Sequence, residues 1–177
     1  QHIIMSKLKC TLKNMAMNGA CEGSVIIAGE QTAGIGRMGR SFFSPDNTGI
    51  YMSILLKPDL KAEKSVFITT AAAVAVCRAL EKNGAGKTGI KWVNDLFYEG
   101  KKLCGILAEG AIDSHGGFEY VVLGIGVNLC GNFENTELKD IATALYPSLD
   151  KKTLSKQKNR LISEILTHFY DRYATEL

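Results

Sequence analysis

The sequence lacks the features that mark several common classes of protein. No stretch reaches the roughly 18–20 consecutive apolar residues of a membrane span, and no signal-peptide pattern opens the chain. The five cysteines form no CxxC pair and no Cys/His cluster with zinc spacing. Scattered single thiols are typical of a reducing compartment. We therefore expect a soluble cytoplasmic protein, with neither a structural zinc ion nor a membrane partner.

Several catalytic signatures are also missing. The chain has no Gly-x-Ser-x-Gly nucleophile elbow and no Walker A lysine. Its three histidines, His2, His115 and His168, lie near a terminus, in a glycine turn and in a predicted helix, so we interpret them as structural or solvated. The formal net charge of +3 is mild and no dense Lys/Arg run occurs, so we expect no nucleic-acid partner.

What the chain does have is a pattern of strands, hairpins and a few helices. With 177 residues and 46% hydrophobic residues it is large enough for a single domain with its own core. Apolar runs bounded by turn residues predict strands at Ser24–Ala28, Gly49–Leu56, Gly89–Tyr98, Lys101–Glu109 and Phe118–Leu129. Helical spacing predicts helices at about 61–82 and at the C-terminus. The order indicates an α+β fold with a mainly antiparallel sheet flanked by helices.

A loop rich in glycine and arginine separates the first two predicted strands. Within Gln31–Pro45, three glycines alternate with Arg37 and Arg40. Glycine allows a close backbone approach to a ligand, and arginine offers a fork suited to phosphate and carboxylate oxygens. The glycine spacing matches the dinucleotide fingerprint, but no helix pattern follows, so a Rossmann fold is not predicted. An anion clamp and a mobile basic surface loop both remain open at this point.

The predicted hairpin at 89–109 concentrates polar groups around its turn. Lys91 and Asp95 would share one face of a strand, because side chains repeat every two residues. Asp95 could hold Mg²⁺, which prefers carboxylate oxygens, and Lys102 could place a point charge on a carboxylate or phosphate. An exposed hairpin with solvated lysines is the alternative.

A pair of glycines lies inside the last predicted strand, in the sequence Gly124–Asn128. Glycine within a strand often marks the close approach of a ligand or another backbone. Asn128 could then form a hydrogen bond with that ligand. A bulge at a packed corner explains the pattern equally well.

Taken together, four segments resemble the biotin protein ligase family, and the resemblance extends over roughly residues 3–175. The matching segments are Gln31–Arg40, Gly89–Leu96, Lys101–Leu107 and Gly124–Asn128, in that order. The resemblance implies a fold similar to the catalytic core of class II aminoacyl-tRNA synthetases. It also implies that biotin and ATP form biotinyl-5′-AMP and pyrophosphate, and that biotin is then passed to a lysine of a biotin carboxyl carrier domain.

The same resemblance implies roles for individual residues. Gln31 matches the residue that binds the biotin ring system, and Ile35, Gly36 and Arg37 match the segment around the carboxylate and the adenylate. Lys102 matches the lysine on the biotin carboxylate and the α-phosphate, so Arg37 and Lys102 are the expected catalytic cations. Asn94 and Asp95 match the nucleotide region, with Asp95 as the expected Mg²⁺ ligand. Further contacts to biotin or the adenylate are expected from Thr11, Gly34, Gly39, Arg40, Lys91, Trp92, Gly105, Leu107, Gly124 and Asn128.

The residues present suit this chemistry. Biotin's carboxylate is already ionised at neutral pH, so adenylation requires no general base. Two anions must be brought together, and positioned cations with Mg²⁺ stabilise the charge on the α-phosphate. A loop ordered over the intermediate would exclude water from the mixed anhydride.

The chain also departs from the family pattern. Members often carry Ser-Thr-Asn after the first strand, and the best match here is Cys10–Leu12, of which Thr11 alone keeps a hydroxyl. Ile35 stands where many members have arginine. Val93 replaces a frequent proline, which we expect to alter rigidity more than chemistry.

Domain content and partners follow as further expectations. We expect residues 1–177 to form one catalytic domain without an N-terminal winged helix or a small C-terminal β-barrel. A biotin carboxyl carrier domain is the expected partner, and a homodimer is possible. Two other functions remain open: a lipoate ligase or octanoyltransferase, which shares the fold, and a biotin-binding protein without catalytic activity.

Overall fold

The protein is built on a six-stranded antiparallel sheet with one helix on one face and two helices on the other. The structure is a computed structural model, and it describes residues 4–92 and 94–176. The strands are β1 Ile4–Met5, β2 Val25–Ala28, β3 Glu30–Gln31, β4 Gly49–Leu56, β5 Gly89–Lys91, β6 Asp95–Tyr98, β7 Lys101–Ile112 and β8 Phe118–Asn128. The helices are α1 Leu8–Met17, α2 Ser65–Lys82 and α3 Lys151–Glu176, with short 3₁₀ turns at Arg37–Gly39 and Ala62–Lys64.

The strand order in the main sheet is β2-β4-β8-β7-β6-β5, and β1 and β3 form a separate parallel pair. The two longest strands, β7 and β8, are joined by a turn whose Gly116 has a φ of 80°. The Asp113 carboxylate accepts hydrogen bonds from the backbone N–H groups of His115 and Gly117 in this turn. The predicted α+β fold with a mainly antiparallel sheet is confirmed.

The two faces of the sheet bury different sets of side chains. Alternate residues of β4, beginning with Ile50 and Met52, enter the large core beneath α2 and α3. On the opposite face Leu55 packs with Val122 and with Leu12 of α1. Because both faces are covered, every residue of β4 is buried, and its sequence is therefore a continuous apolar run rather than an alternating one.

Small side chains let α2 lie close to the sheet, since half of its buried residues are alanines. The C-terminal helix α3 packs beside it through the predicted stripe, in which Leu161, Ile165 and Phe169 are fully buried. Phe169 stacks on Tyr173 with ring centroids 5.6 Å apart. Among the described residues, no helix combines the length and apolar character needed to cross a lipid bilayer.

One predicted strand is wrong in an informative way. The segment 89–98 is two short antiparallel strands, β5 and β6, rather than one arm of a hairpin. Lys91 and Asp95 do share a face, but because they pair across these strands and not because they alternate along one strand. Polar and apolar residues mix evenly in this segment, so its pattern does not show the reversal. Val93, which stands in place of the family's proline, lies outside the described residues.

Candidate active site

A patch of glycines on the α1 face of the sheet forms the floor of the site. Asp95 of β6 pairs with Gly105 of β7, which pairs in turn with Gly126 of β8. In the adjacent row, Leu107 pairs with Gly124, which pairs with Ser53 of β4. Because three of these positions carry no Cβ, the floor is concave in the middle of an otherwise side-chain-covered sheet.

Two side chains from other elements rest in this concavity. A Cβ at Gly126 would lie only 2.5 Å from the ring of Phe42, and a Cβ at Gly105 would lie 3.1 Å from the same ring. A Cβ at Gly124 would lie 3.2 Å from Cδ of Lys9. Close packing therefore requires glycine at position 126 and leaves little room for a larger residue at 105 and 124. Gly126 is the tightest of the three positions.

The glycine-arginine loop folds back on itself over the floor. Gly36 donates a backbone hydrogen bond to the carbonyl of Arg40 at 2.7 Å, and Phe42 donates one to Gly34 at 2.9 Å. Met38 at the tip has a φ of 57°, an uncommon conformation for a residue other than glycine. The loop is thus a hydrogen-bonded hairpin that carries Ile35, Gly36 and Arg37 to the cavity wall, and the alternative of a loose surface loop is not supported.

Lys102 lies at one end of this floor with its ammonium over Gly105, 3.4 Å from the position of a Cβ there. Its Nζ forms an ion pair with Oδ1 of Asp95 at 2.7 Å, and the two side chains are 28% and 25% exposed. Its backbone N–H donates to the carbonyl of Ile141 at 2.8 Å, and its carbonyl accepts from Thr143 at 2.9 Å. Both the backbone and the side-chain ammonium of Lys102 are therefore held in place.

Nine of the predicted site residues line one cavity above the floor. They are Gln31, Ile35, Gly36, Arg37, Asn94, Lys102, Gly105, Leu107 and Gly124. The wall also contains eight residues that the sequence did not predict as site residues, among them Leu8, Lys9, Phe42 and Ser53. The paired phenylalanines directly after the glycine-arginine loop are the sequence signal that could have indicated Phe42. Nothing in the sequence marks Leu8 or Lys9.

A second cavity adjoins the first and shares part of its wall. Arg37, Asn94, Ile106 and Leu107 line both cavities. The second cavity continues to the first turns of α2 at Ser65, Val66 and Thr69, and to Ala108 of β7. It encloses about 190 Å³, against about 60 Å³ in the first cavity.

Gln31 is held in place at the wall of the first cavity. Its side-chain oxygen accepts a hydrogen bond from the backbone N–H of Leu8 at 3.3 Å. Its amide nitrogen donates to Oγ of Ser44 at 3.2 Å, and Ser44 is buried. The side chain is therefore oriented by α1 and by the end of the glycine-arginine loop.

The structure corrects the expected contribution of Cys10–Leu12. These residues lie within α1, where Leu12 is buried in the small core and Oγ1 of Thr11 donates to the carbonyl of Lys7 at 3.4 Å. The cavity wall comes instead from Leu8 and Lys9, one turn earlier. Thr11 is two residues beyond Lys9, about 200° around the helix at 3.6 residues per turn, so its side chain leaves the helix on the side opposite Lys9.

Asn128 and several other predicted site residues also lie outside both cavities. The Asn128 amide donates to the carbonyl of Thr143 at 3.1 Å, so its side chain anchors the segment that holds Lys102. Lys91 places its ammonium 5.1 Å from the ring centroid of Phe97, and Trp92 is 68% exposed. The remaining predicted residues absent from the cavity walls are Gly34, Gly39, Arg40 and Asp95.

A cluster of three charges closes the end of the cavity opposite Lys102. Glu109 accepts from Lys9 at 3.0 Å through one oxygen and from Lys13 at 2.8 Å through the other. Burial acts to raise the pKa of Glu109, but the hydrogen bonds from Lys13 and Lys9 outweigh it, and the pKa lies below its usual value. The hydrogen bond to Glu109 likewise raises the pKa of Lys13.

One carboxylate lies next in sequence to the junction residue Asn94, although it lines neither cavity. It belongs to Asp95, and one of its oxygens is paired with Lys102. No group of three or more His, Cys, Asp or Glu side chains that could hold a metal occurs in residues 4–92 and 94–176. This arrangement fits Mg²⁺ carried by a nucleotide, since that ion usually takes one or two carboxylates together with substrate phosphates.

Comparison with known proteins relates this site to one family. A family model described as biotin/lipoate A/B protein ligase matches residues 3–128. The bifunctional ligase/repressor BirA of Bacillus subtilis is 38% identical over 174 residues, covering 97% of this chain and 52% of that protein. A biotin–[acetyl-CoA-carboxylase] ligase of Mycobacterium tuberculosis is 34% identical over 159 residues, covering 88% and 56%.

Among solved structures, a biotin protein ligase of Aquifex aeolicus in complex with biotin and ATP is similar to this chain. Its TM-score is 0.75 at 25% identity, and the match covers 98% of this chain and 71% of that one. The chain spans about half the length of the curated relatives named above.

Proposed function

This chain belongs to the biotin/lipoate A/B protein ligase family, and we propose that it activates biotin with ATP and attaches it to a carrier protein. The observation that carries this proposal is the pair of adjoining cavities, which meet at Arg37 and Asn94. The first, with Lys102 in its wall, would take the acid, and the second, beside α2, would take the nucleoside. Their junction is where the carboxylate and the α-phosphate must meet.

The relatives support both substrates. The structurally similar Aquifex aeolicus ligase binds biotin and ATP. The Mycobacterium tuberculosis relative is named for acetyl-CoA carboxylase as its acceptor. For this chain we accordingly propose biotin and ATP as substrates, and the biotin carboxyl carrier domain of a carboxylase as the partner.

In the first step, a carboxylate oxygen of biotin attacks the α-phosphorus of ATP and pyrophosphate leaves. No base is needed, because the carboxylate is ionised at neutral pH. Lys102 binds the carboxylate and the α-phosphate, and Arg37 provides a second cation at the junction of the cavities. Both charges are positioned before the reaction, so they stabilise the transition state without a cost of reorganisation at that moment.

Asp95 has two roles in this proposal. Its ion pair with Lys102 holds the ammonium over Gly105 when no substrate is bound. It is also the residue that would hold Mg²⁺, which when bound neutralises charge on the phosphates.

In the second step, the acceptor lysine attacks the acyl carbon of biotinyl-5′-AMP. The C–N bond forms, the C–O bond to the phosphate breaks, AMP leaves, and the amine loses a proton to solvent. The glycine-arginine loop covers the cavity and would shield the anhydride from water until the carrier arrives.

Incubation of the protein with biotin, MgATP and a carrier domain tests the proposal. We expect pyrophosphate release and a carrier mass increase equal to one biotinyl group. A carrier whose acceptor lysine is replaced by arginine is the control and should gain no mass. Absence of both adenylate and carrier modification would exclude this function.

One observation favours a second candidate, the lipoate or octanoyl transfer that the family description also includes. The first cavity, which is proposed to take the acid substrate, is called the acid cavity. Leu8, Phe42 and Leu107 give it an apolar lining that would also suit an aliphatic chain. Calorimetric titration with biotin, lipoate and octanoate separates the candidates, and we expect biotin to bind most tightly. A protein that binds biotin without turning over ATP would instead support the third function, a non-catalytic biotin-binding protein.

Compartment and assembly remain part of the proposal. All five cysteines are free thiols, which accords with the reducing environment of the cytoplasm. A homodimer stays a prediction that sedimentation analysis can test.

A further inference from the structure

Lys9 is a charged side chain in the wall of the acid cavity that the reaction steps above do not use. Its side chain is only 12% exposed, and its ammonium is bound to Glu109 at 3.0 Å. Its stem passes over Gly124, whose missing Cβ leaves room for it. A lysine this enclosed loses much of its hydration, which is costly. Because it also lines a ligand cavity, it is a candidate for binding the ligand.

Lys9 and Lys102 lie at opposite ends of the floor. The ammonium of Lys102 lies over Gly105, and the stem of Lys9 lies over Gly124, which pairs with Leu107. Leu107 is two residues beyond Gly105 along β7, a displacement of about 7 Å. Glu109, two residues farther, draws the Lys9 ammonium away from Lys102. An acid whose carboxylate meets Lys102 therefore directs its other end towards Lys9.

The charge balance at this end leaves Lys9 able to bind an acceptor. The cluster contains two ammonium groups, of Lys9 and Lys13, and one carboxylate, of Glu109, so it carries a net charge of +1. An ammonium has three donors, and the hydrogen bond from Lys9 to Glu109 uses one of them. Lys9, Arg37 and Lys102 are the charged side chains that line this cavity, and Lys102 lies at its other end.

We propose that Lys9 determines acid specificity by donating a hydrogen bond to an acceptor oxygen on the head group, such as the carbonyl of a cyclic urea. Glu109 positions the ammonium, and the stem of Lys9 forms the end wall. The proposal rests on the function proposed above, because it assumes that the carboxylate lies at Lys102. It selects acids with a polar head group over purely aliphatic ones.

Lys9→Met tests this directly, since methionine keeps an unbranched stem but has no ammonium. The matched control is Lys13→Met, which removes the other partner of Glu109 without altering the cavity wall. We expect Lys9→Met to raise the KM for biotin about tenfold or more, because hydrogen bonds to charged groups are the stronger class. The KM for ATP and kcat should stay within about twofold, and Lys13→Met should leave all three constants near the wild-type values.

A comparison of acids separates recognition from a structural role. Desthiobiotin keeps the cyclic urea, whereas lipoate has a ring without an acceptor oxygen. Lys9→Met should weaken biotin and desthiobiotin to a similar degree and leave lipoate unchanged, so the preference for biotin over lipoate falls about tenfold. Equal weakening of all three acids, or an unchanged KM for biotin, would overturn the proposal.

Calorimetric binding of biotin without ATP distinguishes this inference from the proposed function. If the wild type binds biotin but forms no adenylate, the proposed function fails, while a tenfold higher Kd in Lys9→Met still supports the inference. If the wild type forms adenylate and the Kd is the same in Lys9→Met, the inference alone fails. Glu109→Gln provides a second variant, for which we expect a smaller rise in Kd because its amide holds the ammonium less firmly.

Discussion

The two ends of the acid cavity are built around the same type of pair, a lysine bound to a carboxylate, but the lysines differ in exposure and the carboxylates differ in how many lysines they bind. Lys102 has Asp95 as its partner, and both side chains are about a quarter exposed. Lys9 is 12% exposed, and its partner Glu109 is also bound by Lys13. The two lysines therefore differ in exposure, since Lys102 is 28% exposed and Lys9 only 12%, although the Glu109 side chain is itself 37% exposed.

This difference indicates different duties for the two lysines. A partly exposed pair costs little to open, because exposed ion pairs are worth only about 0–1 kcal/mol. In the proposed reaction, Lys102 would therefore leave Asp95 for the anions of the substrates. The stem of Lys9 is enclosed and packs over Gly124, so we expect Lys9 to stay in place and to present a fixed donor. The Lys102 end of the cavity, called the reacting end, is therefore expected to be adaptable. The Lys9 end, called the recognising end, is expected to be rigid.

Of the variants at the two ends of the cavity, replacement of Lys102 should have the largest effect on the rate of adenylation. We expect Lys102→Met to lower the rate of biotinyl-5′-AMP formation about 100-fold or more, the usual loss when one charge-stabilising group is removed. Arg37→Ala should act in the same direction. Single-turnover adenylation measures both variants.

The adjacent lysine provides the control for this prediction. Nζ of Lys101 donates to the carbonyl of Lys139 at 2.6 Å, and Lys101 does not line the cavity. Lys101→Met should retain the wild-type rate. An unchanged rate in Lys102→Met, with normal circular dichroism, would contradict the role assigned to Lys102.

The two floor glycines should differ when alanine replaces them. A Cβ at Gly126 would lie 2.5 Å from the rigid ring of Phe42, whereas one at Gly124 would lie 3.2 Å from the flexible chain of Lys9. Overpacking of this kind typically costs about 1–3 kcal/mol. We expect Gly126→Ala to lower the free energy of unfolding by that amount and Gly124→Ala to lower it less. Urea unfolding measures both, and equal losses would show that the ring moves as easily as the lysine.

Loss of the Asn128 amide should have a smaller effect, confined to the Lys102 end. Asn128→Ala removes the hydrogen bond to Thr143, whose backbone N–H holds the carbonyl of Lys102. We expect the free energy of unfolding to fall by about 1 kcal/mol and the adenylation rate to fall a few-fold, with the Kd for biotin unchanged. Asn132→Ala, at an exposed turn, serves as control. A rise in the Kd for biotin would show that Asn128 acts at the other end.

The smallest expected effect is a pH dependence of stability at the Lys9 end. Because the folded-state pKa of Glu109 is lowered, its contribution is present above the unfolded-state pKa of about 4.3 and is lost as the pH falls through the lower folded-state value. Glu109→Gln should therefore remove part of the acid-induced loss of stability. Urea unfolding at neutral pH and at about pH 3 checks this, and parallel losses in wild type and variant would contradict it.

Much of the fold and of the reacting end could be predicted from the sequence. Residues Gly49–Leu56 form the strand predicted from their continuous apolar run. The glycine-arginine loop, Lys102 and the glycines at 105 and 124 come together as expected. These segments are informative because their chemistry is local: glycines that allow close approach lie in the same short segments as the cations.

The recognising end could not be predicted for two physical reasons. Helix α1 starts after Lys7, which provides no side-chain cap, so no capping residue marks the helix register, and the match to the family's Ser-Thr-Asn favours Thr11 over Leu8 and Lys9. The use of the Asn128 amide is set by Thr143 in an irregular segment fifteen residues later. Periodicity carries no information about such a contact. The predicted domain limits and the absence of flanking modules stay predictions.

The backbone clamp on Lys102 has a consequence for the timing of assembly. Ile141 and Thr143 hold Lys102 on both sides, yet Thr143 lies 41 residues later in the chain, since 143 − 102 = 41. At about 5–20 residues per second, the ribosome adds that length in about 2–8 s. During synthesis the hairpin that carries Lys102 is therefore complete well before the lysine is fixed. A nascent chain would acquire its reactive cation as a late event.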